Sequence, residues 1–281
     1  MTKKILITGA TDGIGLETAK RLYSEGHTLL LHGRNAEKLA ATERTLADSR
    51  GAGLIYTYKA DLSRLAEVDS LAEAITTEHD QLDVIINNAG VMRVPETVTQ
   101  DGLDVRFAVN TVAPYLLTKR LLPVLAPDAR VVNLSSAAQA TVELDALRGK
   151  KRFLDDMSAY AQSKLALTMW NHALAQSSSH QGLVFVAVNP GSLLASKMVK
   201  EGFGIAGKSL SIGANVLVRA ALSEEFANAS GKYFDNDKGG FGAPHADALD
   251  DRKCREVVAA IETLVAAVGT NIDGHFITEN E

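Results

Sequence analysis

The fold is decided by the stretch Lys4-Ile-Leu-Ile-Thr-Gly-Ala-Thr-Asp-Gly-Ile-Gly15, where an apolar run passes into a glycine-rich loop. The glycines are spaced Gly-x-x-x-Gly-x-Gly, and a helical pattern runs from Ile14 to Glu25. Glycine lets the backbone turn tightly and approach a phosphate, whose charge meets free N–H groups at the helix N-terminus. The stretch therefore predicts a dinucleotide site. The alternative is a glycine turn that only connects strand and helix.

The rest of the chain alternates short apolar runs with longer helical patterns. Strands are predicted at Lys4–Thr8, Thr28–His32, Leu54–Lys59, Val84–Asn87, Arg130–Leu134 and Val184–Asn189, with a short strand at Lys232–Phe234 closing the far edge. Helices are predicted at Ile14–Glu25, Arg64–His79, Asp101–Ala126, Ala159–Ser179 and Asp251–Val268. This order predicts the α/β class, with a Rossmann-type doubly wound parallel sheet of about seven strands flanked by helices. We expect one NAD(P)-binding domain over residues 1–281.

Two segments are predicted to be insertions on this frame. Residues 142–158 are rich in mixed charge, and residues 191–213 contain five glycines and follow a strand. Loops after the carboxyl ends of strands bind ligands in open α/β sheets, so both are candidate substrate walls. The alternative for each is a solvated surface excursion.

Composition narrows the class of partner. The 281 residues carry a formal charge of −5, and the basic side chains are scattered, so we expect no nucleic-acid partner. A single cysteine, Cys254, excludes an internal disulfide and any multi-cysteine metal site; we predict no metal, and place Cys254 in a charged, exposed helix. With no signal-peptide pattern and no run of bilayer length, we expect a cytoplasmic protein without membrane contact.

The end of the second strand bears on the choice of dinucleotide. It reads His32-Gly33-Arg34-Asn35, without the carboxylate that would pair with a ribose 2′-hydroxyl. Arg34 offers a planar fork suited to a phosphate, which favours NADP (as NADPH), with NAD possible. Asp12 in the glycine loop would weaken this preference, and the alternative for Arg34 is a solvent-facing residue at a helix start.

Tyr160 and Lys164 stand one helical turn apart in Ala159-Tyr-Ala-Gln-Ser-Lys-Leu165, so phenol and ammonium share a helix face. A cation beside a phenol favours the phenolate, which predicts a general acid/base. The spacing alone is common by chance and does not establish this role.

Together with Asn87-Asn-Ala-Gly90 after the fourth strand, these motifs resemble the short-chain dehydrogenase/reductase family over nearly the whole chain. The Thr8 to Gly15 loop resembles its nucleotide signature, Asp61-Leu62 its adenine-contacting pair, and Pro190-Gly191 its nicotinamide-side turn. The resemblance implies cofactor contacts at Gly9, Thr11, Asp12, Gly13, Ile14, Gly15, Arg34, Asp61, Leu62, Asn88, Ala89, Gly90, Tyr160, Lys164, Pro190, Gly191, Ser192 and Ser196.

The resemblance also implies a catalytic tetrad. Tyr160 and Lys164 match the family's Tyr-x-x-x-Lys, Asn110 its helix asparagine, and Ser136 its serine after the fifth strand. The neighbouring Ser135 is the alternative to Ser136, and we expect its hydroxyl to bond locally at the strand end. In this scheme Lys164 lowers the phenol pKa and holds the nicotinamide ribose, while Asn110 positions Lys164 through a water.

Two departures from the family pattern affect the substrate. Ser136 and Tyr160 are 160 − 136 = 24 residues apart, which is close to the retinol-dehydrogenase-like branch and is explained by residues 142–158. Members of that branch often carry an N-terminal membrane anchor, which we do not expect here. Where the family often has a threonine after the Pro-Gly turn this chain has Ala195, so Ser192 or Ser196 would replace it.

The resemblance implies an NADP(H)-dependent oxidoreductase that interconverts a carbonyl compound and an alcohol. An apolar stretch after Pro190-Gly191 indicates a hydrophobic substrate, unless its side chains pack onto the body; they are Leu193, Leu194, Met198, Val199, Phe203 and Ile205. The alternatives are an NAD(P)-sensing regulator and a sugar-nucleotide epimerase or dehydratase. Relatives also suggest a homodimer or homotetramer, in which the helices predicted at Asp101–Ala126 and Ala159–Ser179 form a four-helix contact.

Overall fold

A computed structural model describes residues 2–49, 51–177, 180, 182–195, 204 and 206–272. Within these residues the strands form one sheet of order β3-β2-β1-β4-β5-β6-β7-β8, in which only the β7–β8 pair is antiparallel. The strands are β1 Lys4–Ile7, β2 Thr28–Gly33, β3 Ile55–Lys59, β4 Leu82–Asn87, β5 Leu125–Leu134, β6 Val184–Asn189, β7 Tyr233–Asp235 and β8 Gly240–Gly242. The doubly wound α/β class is confirmed.

The helices flank the sheet on both faces. They are α1 Gly13–Ser24, α2 Ala36–Ala47, α3 Leu65–Glu78, α4 Val105–Phe107, α5 Ala113–Leu121, α6 Leu144–Leu147, α7 Asp156–Ala175, α8 Leu210–Leu222 and α9 Asp251–Ile272. Successive strand residues enter opposite apolar layers: Leu6 belongs to one buried cluster, and Ile5 and Ile7 to the other. Covered faces on both sides explain why these strands read as continuous apolar runs.

The far edge of the sheet differs from the prediction. The strand expected to close it, β7, is followed by a turn and by β8, which pairs with β7 through Phe234 and Phe241. The short Gly-Phe-Gly strand carries no alternation that a sequence pattern could detect. The β7–β8 hairpin therefore forms this edge.

The helix predicted over Asp101–Ala126 is also wrong in detail. The segment begins helically only at Val105, widens into a π-helical turn at Ala108–Val112, and resumes as α5 with Pro114 in its first turn. Pro123 lies in a 3₁₀ turn that ends the helical segment, and β5 begins at Leu125. Apolar periodicity continued across these breaks because β5 is buried as well.

The C-terminal helix α9 packs against α7 and α3, and Tyr115 Oη in α5 donates to Glu262 Oε1 at 2.8 Å. As a result no residue of α7 from Ala159 to Ala175 is exposed. The four-helix contact predicted between copies is not free in this arrangement, because α9 of the same chain lies there. Cys254 was predicted to be exposed and is instead buried on the inner face of α9, where burial raises the pKa of its thiol to about 12.

Among the residues described, none of the helices combines the length and apolar character needed to span a bilayer.

Candidate active site

A cleft of about 940 Å³ lies at the carboxyl ends of β1, β2, β4, β5 and β6. Of the residues predicted from sequence, it is lined by Gly9, Thr11, Asp12, Gly13, Ile14, Arg34, Asp61, Leu62, Asn88, Ala89, Gly90, Ser136, Tyr160, Lys164, Pro190, Gly191 and Ser192. Gly15 and Asn110 lie behind the wall, and Ser196 falls outside the described residues. Residues distributed from Gly9 to Ser192 thus meet in one place.

The glycine loop forms the floor of one end of the cleft. Gly9 has a φ of 65°, and Asp12 caps α1 by accepting from Gly13 N at 2.8 Å. A Cβ on Gly15 would lie 2.3 Å from Gly9 O and 2.4 Å from Asn88 Nδ2, so glycine is required there for α1 to approach the loop. Asn88 Nδ2 in turn donates to Thr8 O at 2.8 Å. This bare backbone at a helix N-terminus fits a dinucleotide pyrophosphate.

His32 connects the loop to the neighbouring strands. Its Nδ1 accepts from Gly9 N at 3.3 Å and its Nε2 lies 3.0 Å from Ala60 O, which assigns the proton to Nε2. Burial lowers the pKa of His32 to about 4. From the sequence, His32 is predicted only as the end of a strand, because a buried histidine has no local signature.

Two basic residues, Arg34 and Lys38, lie on the exposed rim of the cleft beside α2. Arg34 is exposed, and Lys38, which was not predicted, lines the same rim with its Nζ 3.5 Å from Asp12 Oδ2. Lys38 lies three residues beyond Asn35, which caps α2 by accepting from Lys38 N at 2.8 Å. Because this cap fixes the residue at which α2 begins, Lys38 lies on the helix face that points toward the glycine loop.

Tyr160, Lys164 and Ser136 meet at the other end. Lys164 is 4% exposed, donates from Nζ to Leu134 O at 2.7 Å, and lies 5.7 Å from the centre of the Tyr160 ring. Burial lowers the pKa of Lys164 to about 8. For Tyr160 burial raises the pKa, and a hydrogen bond with the Ser136 side chain lowers it by less, so the net shift is upward. The lowered phenol pKa expected from the sequence is wrong here, because desolvation penalises the phenolate more than its neighbours stabilise it.

The two adjacent serines have different surroundings. Ser135 also contributes to the cleft lining, but it is buried and its Oγ lies 2.7 Å from Thr168 Oγ1, so its hydroxyl is already bonded inside the fold. Ser136 lines the cleft with Tyr160, and its Oγ accepts from Ala138 N at 3.1 Å. Of the two, Ser136 is therefore placed to reach a substrate oxygen.

Asn110 sits in the middle of the π-helical turn and is fully buried. Its Nδ2 donates to Val91 O at 2.8 Å and to Ser163 Oγ at 2.9 Å, and its Oδ1 accepts from Val91 N at 2.8 Å. Both amide hydrogens are thus used, and only the second lone pair of Oδ1 is left for a link toward Lys164. Asn110 anchors the segment after Gly90 and helix α7 to one point.

The walls near Tyr160 are apolar and come both from loops and from the ends of helices and strands. Further lining residues are Val91, Met92, Val94, Pro95, Val105, Val109, Leu134, Ala137, Ala138, Met157, Leu193 and Leu194. From residues 142–158 only Met157 reaches the cleft, whereas Leu147 is buried and Phe153 packs on Phe107, their ring centres 5.8 Å apart. This segment is therefore partly buried against the body and partly solvated, with Leu154 fully exposed, and it forms little of the cleft wall. Leu194 is also buried, and Leu193 is 41% exposed at the mouth.

Comparison with known proteins places this geometry in a family. A family model described as short chain dehydrogenase matches residues 3–204. Human retinol dehydrogenase 13 is 34% identical over 284 residues, covering 94% of this chain and 84% of the relative.

Two solved structures are also similar. An uncharacterized protein of Mycobacterium paratuberculosis superposes with a TM-score of 0.79 at 28% identity, covering 94% of this chain and 93% of the other. A short chain dehydrogenase of Shigella flexneri complexed with NADP has a TM-score of 0.66 at 25% identity, with 84% and 97% coverage. The chain therefore belongs to the short-chain dehydrogenase family, is similar to retinol dehydrogenases, and is an NAD(P)-dependent oxidoreductase acting on CH–OH groups.

Proposed function

We propose that this enzyme interconverts a hydrophobic aldehyde or ketone and its alcohol, with NADP(H) preferred over NAD(H). The observation that carries the proposal is the meeting of Tyr160, Ser136 and Lys164 in the cleft that also contains the glycine loop. The residues predicted from the sequence for catalysis and cofactor contact keep those roles in the proposal, except that Asn110 acts indirectly and the Ser192 hydroxyl is bonded to Asp237. A nicotinamide cofactor supplies the hydride when bound.

Tyr160 donates a proton to the carbonyl oxygen during reduction. A phenol is protonated near neutral pH, and burial raises the pKa of Tyr160 further, so the side chain is present in the acid form that can donate. Ser136 hydrogen-bonds to the same oxygen, and Lys164 supplies positive charge beside the developing alkoxide. Asn110 acts indirectly, by fixing α7 through Ser163.

Support for NADP comes from the basic rim. Arg34 and Lys38 both line the cleft at the end of β2, and no carboxylate occupies the position after Gly33. Asp12 stands 3.5 Å from Lys38 and offsets part of this charge. The NADP-bound Shigella flexneri relative supports the same choice.

The hydrophobic substrate class is supported by the walls near Tyr160. Met92, Val94, Met157 and Leu193 line this end, and an apolar wall discriminates by shape rather than by hydrogen bonds. The similarity to retinol dehydrogenase 13 is consistent with an extended apolar substrate. The cytoplasmic location and a homo-oligomer remain predictions; an oligomer would need a surface other than α7, which α9 covers.

The Tyr160→Phe variant tests the proposal. Loss of the proton donor should lower turnover of hydrophobic aldehydes and ketones with NADPH by about 100-fold to 10,000-fold, while NADPH binding persists. Tyr115→Phe is the matched control, because Tyr115 is buried but bonds Glu262 outside the cleft. Unchanged turnover in Tyr160→Phe would refute the assignment. Dinucleotide binding without turnover of any carbonyl or alcohol would favour a sensing regulator instead.

The second alternative, a sugar-nucleotide enzyme, is tested by a separate assay. A sugar-nucleotide epimerase or dehydratase would interconvert its substrate without net oxidation of NADPH. Following the absorbance of the reduced cofactor alongside product formation distinguishes this reaction from carbonyl reduction.

A further inference from the structure

The turn after β6 is held by the turn between β7 and β8. Ser192 N donates to both carboxylate oxygens of Asp237, at 2.9 Å and 3.0 Å, and Ser192 Oγ donates to Asp237 Oδ2. Asn189 Nδ2 donates to Asp237 Oδ2 at 2.9 Å, and Asn236 Nδ2 donates to Pro190 O at 2.9 Å. One hairpin turn thus bonds the end of β6 and the start of the loop at three positions.

The held turn contains backbone that requires support. Gly191 has a φ of 118°, and Leu193 is the one described non-glycine residue with positive φ, at 56°. A left-handed leucine is strained and persists only where the surroundings fix it. On its far side the turn is fixed by Lys208, whose N donates to Leu193 O and whose O accepts from Ala195 N, each at 2.7 Å. Asp237 provides the corresponding restraint on the near side.

This restraint acts on the wall of the cleft. Pro190, Gly191, Ser192 and Leu193 all line it, while Asp237 does not. We propose that Asp237 is a positioning residue that holds this turn in its strained form for the nicotinamide end of the cofactor, and that the Ser192 hydroxyl serves this clamp rather than the cofactor carboxamide. The inference rests on the proposed function for the identity of the ligand.

The clamp is a charged one. Burial raises the pKa of Asp237, but the hydrogen bonds from Ser192 and Asn189 lower it by more. The pKa of this carboxyl therefore lies below its ordinary value. Hydrogen bonds to an ionised acceptor are stronger than neutral ones. Asp237 comes from the β7–β8 hairpin, beyond the residues 3–204 that match the family model.

Two measurements on Asp237→Ala test the clamp. In the cofactor-free protein, hydrogen exchange at the Ser192 amide should accelerate by at least about 10-fold, because the bonded acceptor is removed. The dissociation constant for NADPH should rise about 10-fold, while kcat at saturating NADPH stays within about twofold. Asp237→Asn, which keeps one acceptor oxygen, should recover part of both losses.

Lys238→Gln is the matched control, since it also removes a charge from this hairpin turn but contacts Asp235 and not Ser192. Unchanged exchange at Ser192 and unchanged NADPH affinity in Asp237→Ala would overturn the inference, as would equal effects in Lys238→Gln. A wild-type protein that binds no dinucleotide would instead refute the proposed function, and the exchange measurement would still decide whether the clamp exists.

Discussion

The two ends of the cleft use charge in opposite ways. At the rim beside α2, the side chains of Asp12 and Lys38 are 60% and 56% exposed, and their 3.5 Å pair is solvated. At the end of β5, Lys164 is buried and its pKa falls to about 8, while the pKa of Tyr160 rises. Exposed charge attracts a ligand through a field that solvent screens, whereas buried charge has its proton affinity set by desolvation. The rim is thus suited to binding and the buried end to proton transfer.

The sharpest test of the buried end compares the two adjacent serines. Ser136→Ala should reduce turnover by about 100-fold, because it removes a hydrogen-bond donor to the substrate oxygen. Ser135→Ala should leave turnover within about threefold and lower the free energy of unfolding by about 1 kcal/mol through loss of the bond to Thr168. Steady-state kinetics and urea unfolding on both variants check this. The reverse pattern would assign the substrate contact to Ser135.

The pH dependence of the free energy of unfolding tests whether burial also sets the pKa of His32, which lies beneath the exposed rim. Its pKa is about 4 in the folded protein, below the ordinary histidine value of 6.5, so the unfolded chain takes up the proton first as the pH falls. Stability from this group is complete above pH 6.5 and is lost as the pH falls toward 4, by about 2 kcal/mol between pH 7 and pH 5.

Urea unfolding across this range should show that loss in the wild type. His32→Asn should have a flatter profile, and subtracting the two profiles removes contributions from other groups such as His27, whose pKa burial also lowers. Parallel profiles would mean that the His32 ring is solvated, and the contrast between rim and floor would disappear.

The exposed rim should show the smallest and most salt-sensitive effect. Arg34→Leu should weaken NADPH binding about 10-fold and NADH binding little, because the lost contact is to the 2′-phosphate. The difference should shrink as salt rises, since exposed charges are screened. Arg44→Leu in the exposed part of α2 is the matched control. Equal loss for both cofactors would indicate that Arg34 does not select between them.

Local motifs predicted most of the site because each is a short stretch with its own geometry. The glycine loop, Asn88 to Gly90, Tyr160 with Lys164, and Pro190-Gly191 all line the cleft as expected. Lys38, His32 and Asp237 were missed, since their roles come from partners distant in sequence. The segment Asp101–Ala126 was misjudged because apolar periodicity does not reveal a π-helical turn or a strand that follows it directly.

The sequence by itself determined the α/β class, the positions of most strands, and which residue types meet at the strand ends, because hydrophobic period and glycine spacing act locally. Only the tertiary structure decided that Thr168 is the partner of the Ser135 hydroxyl, that the Tyr160 pKa rises rather than falls, and that α9 covers α7 and buries Cys254. Burial is a property of the whole packed chain, so neither desolvation nor the final partner of a side chain can be calculated from its neighbours in sequence.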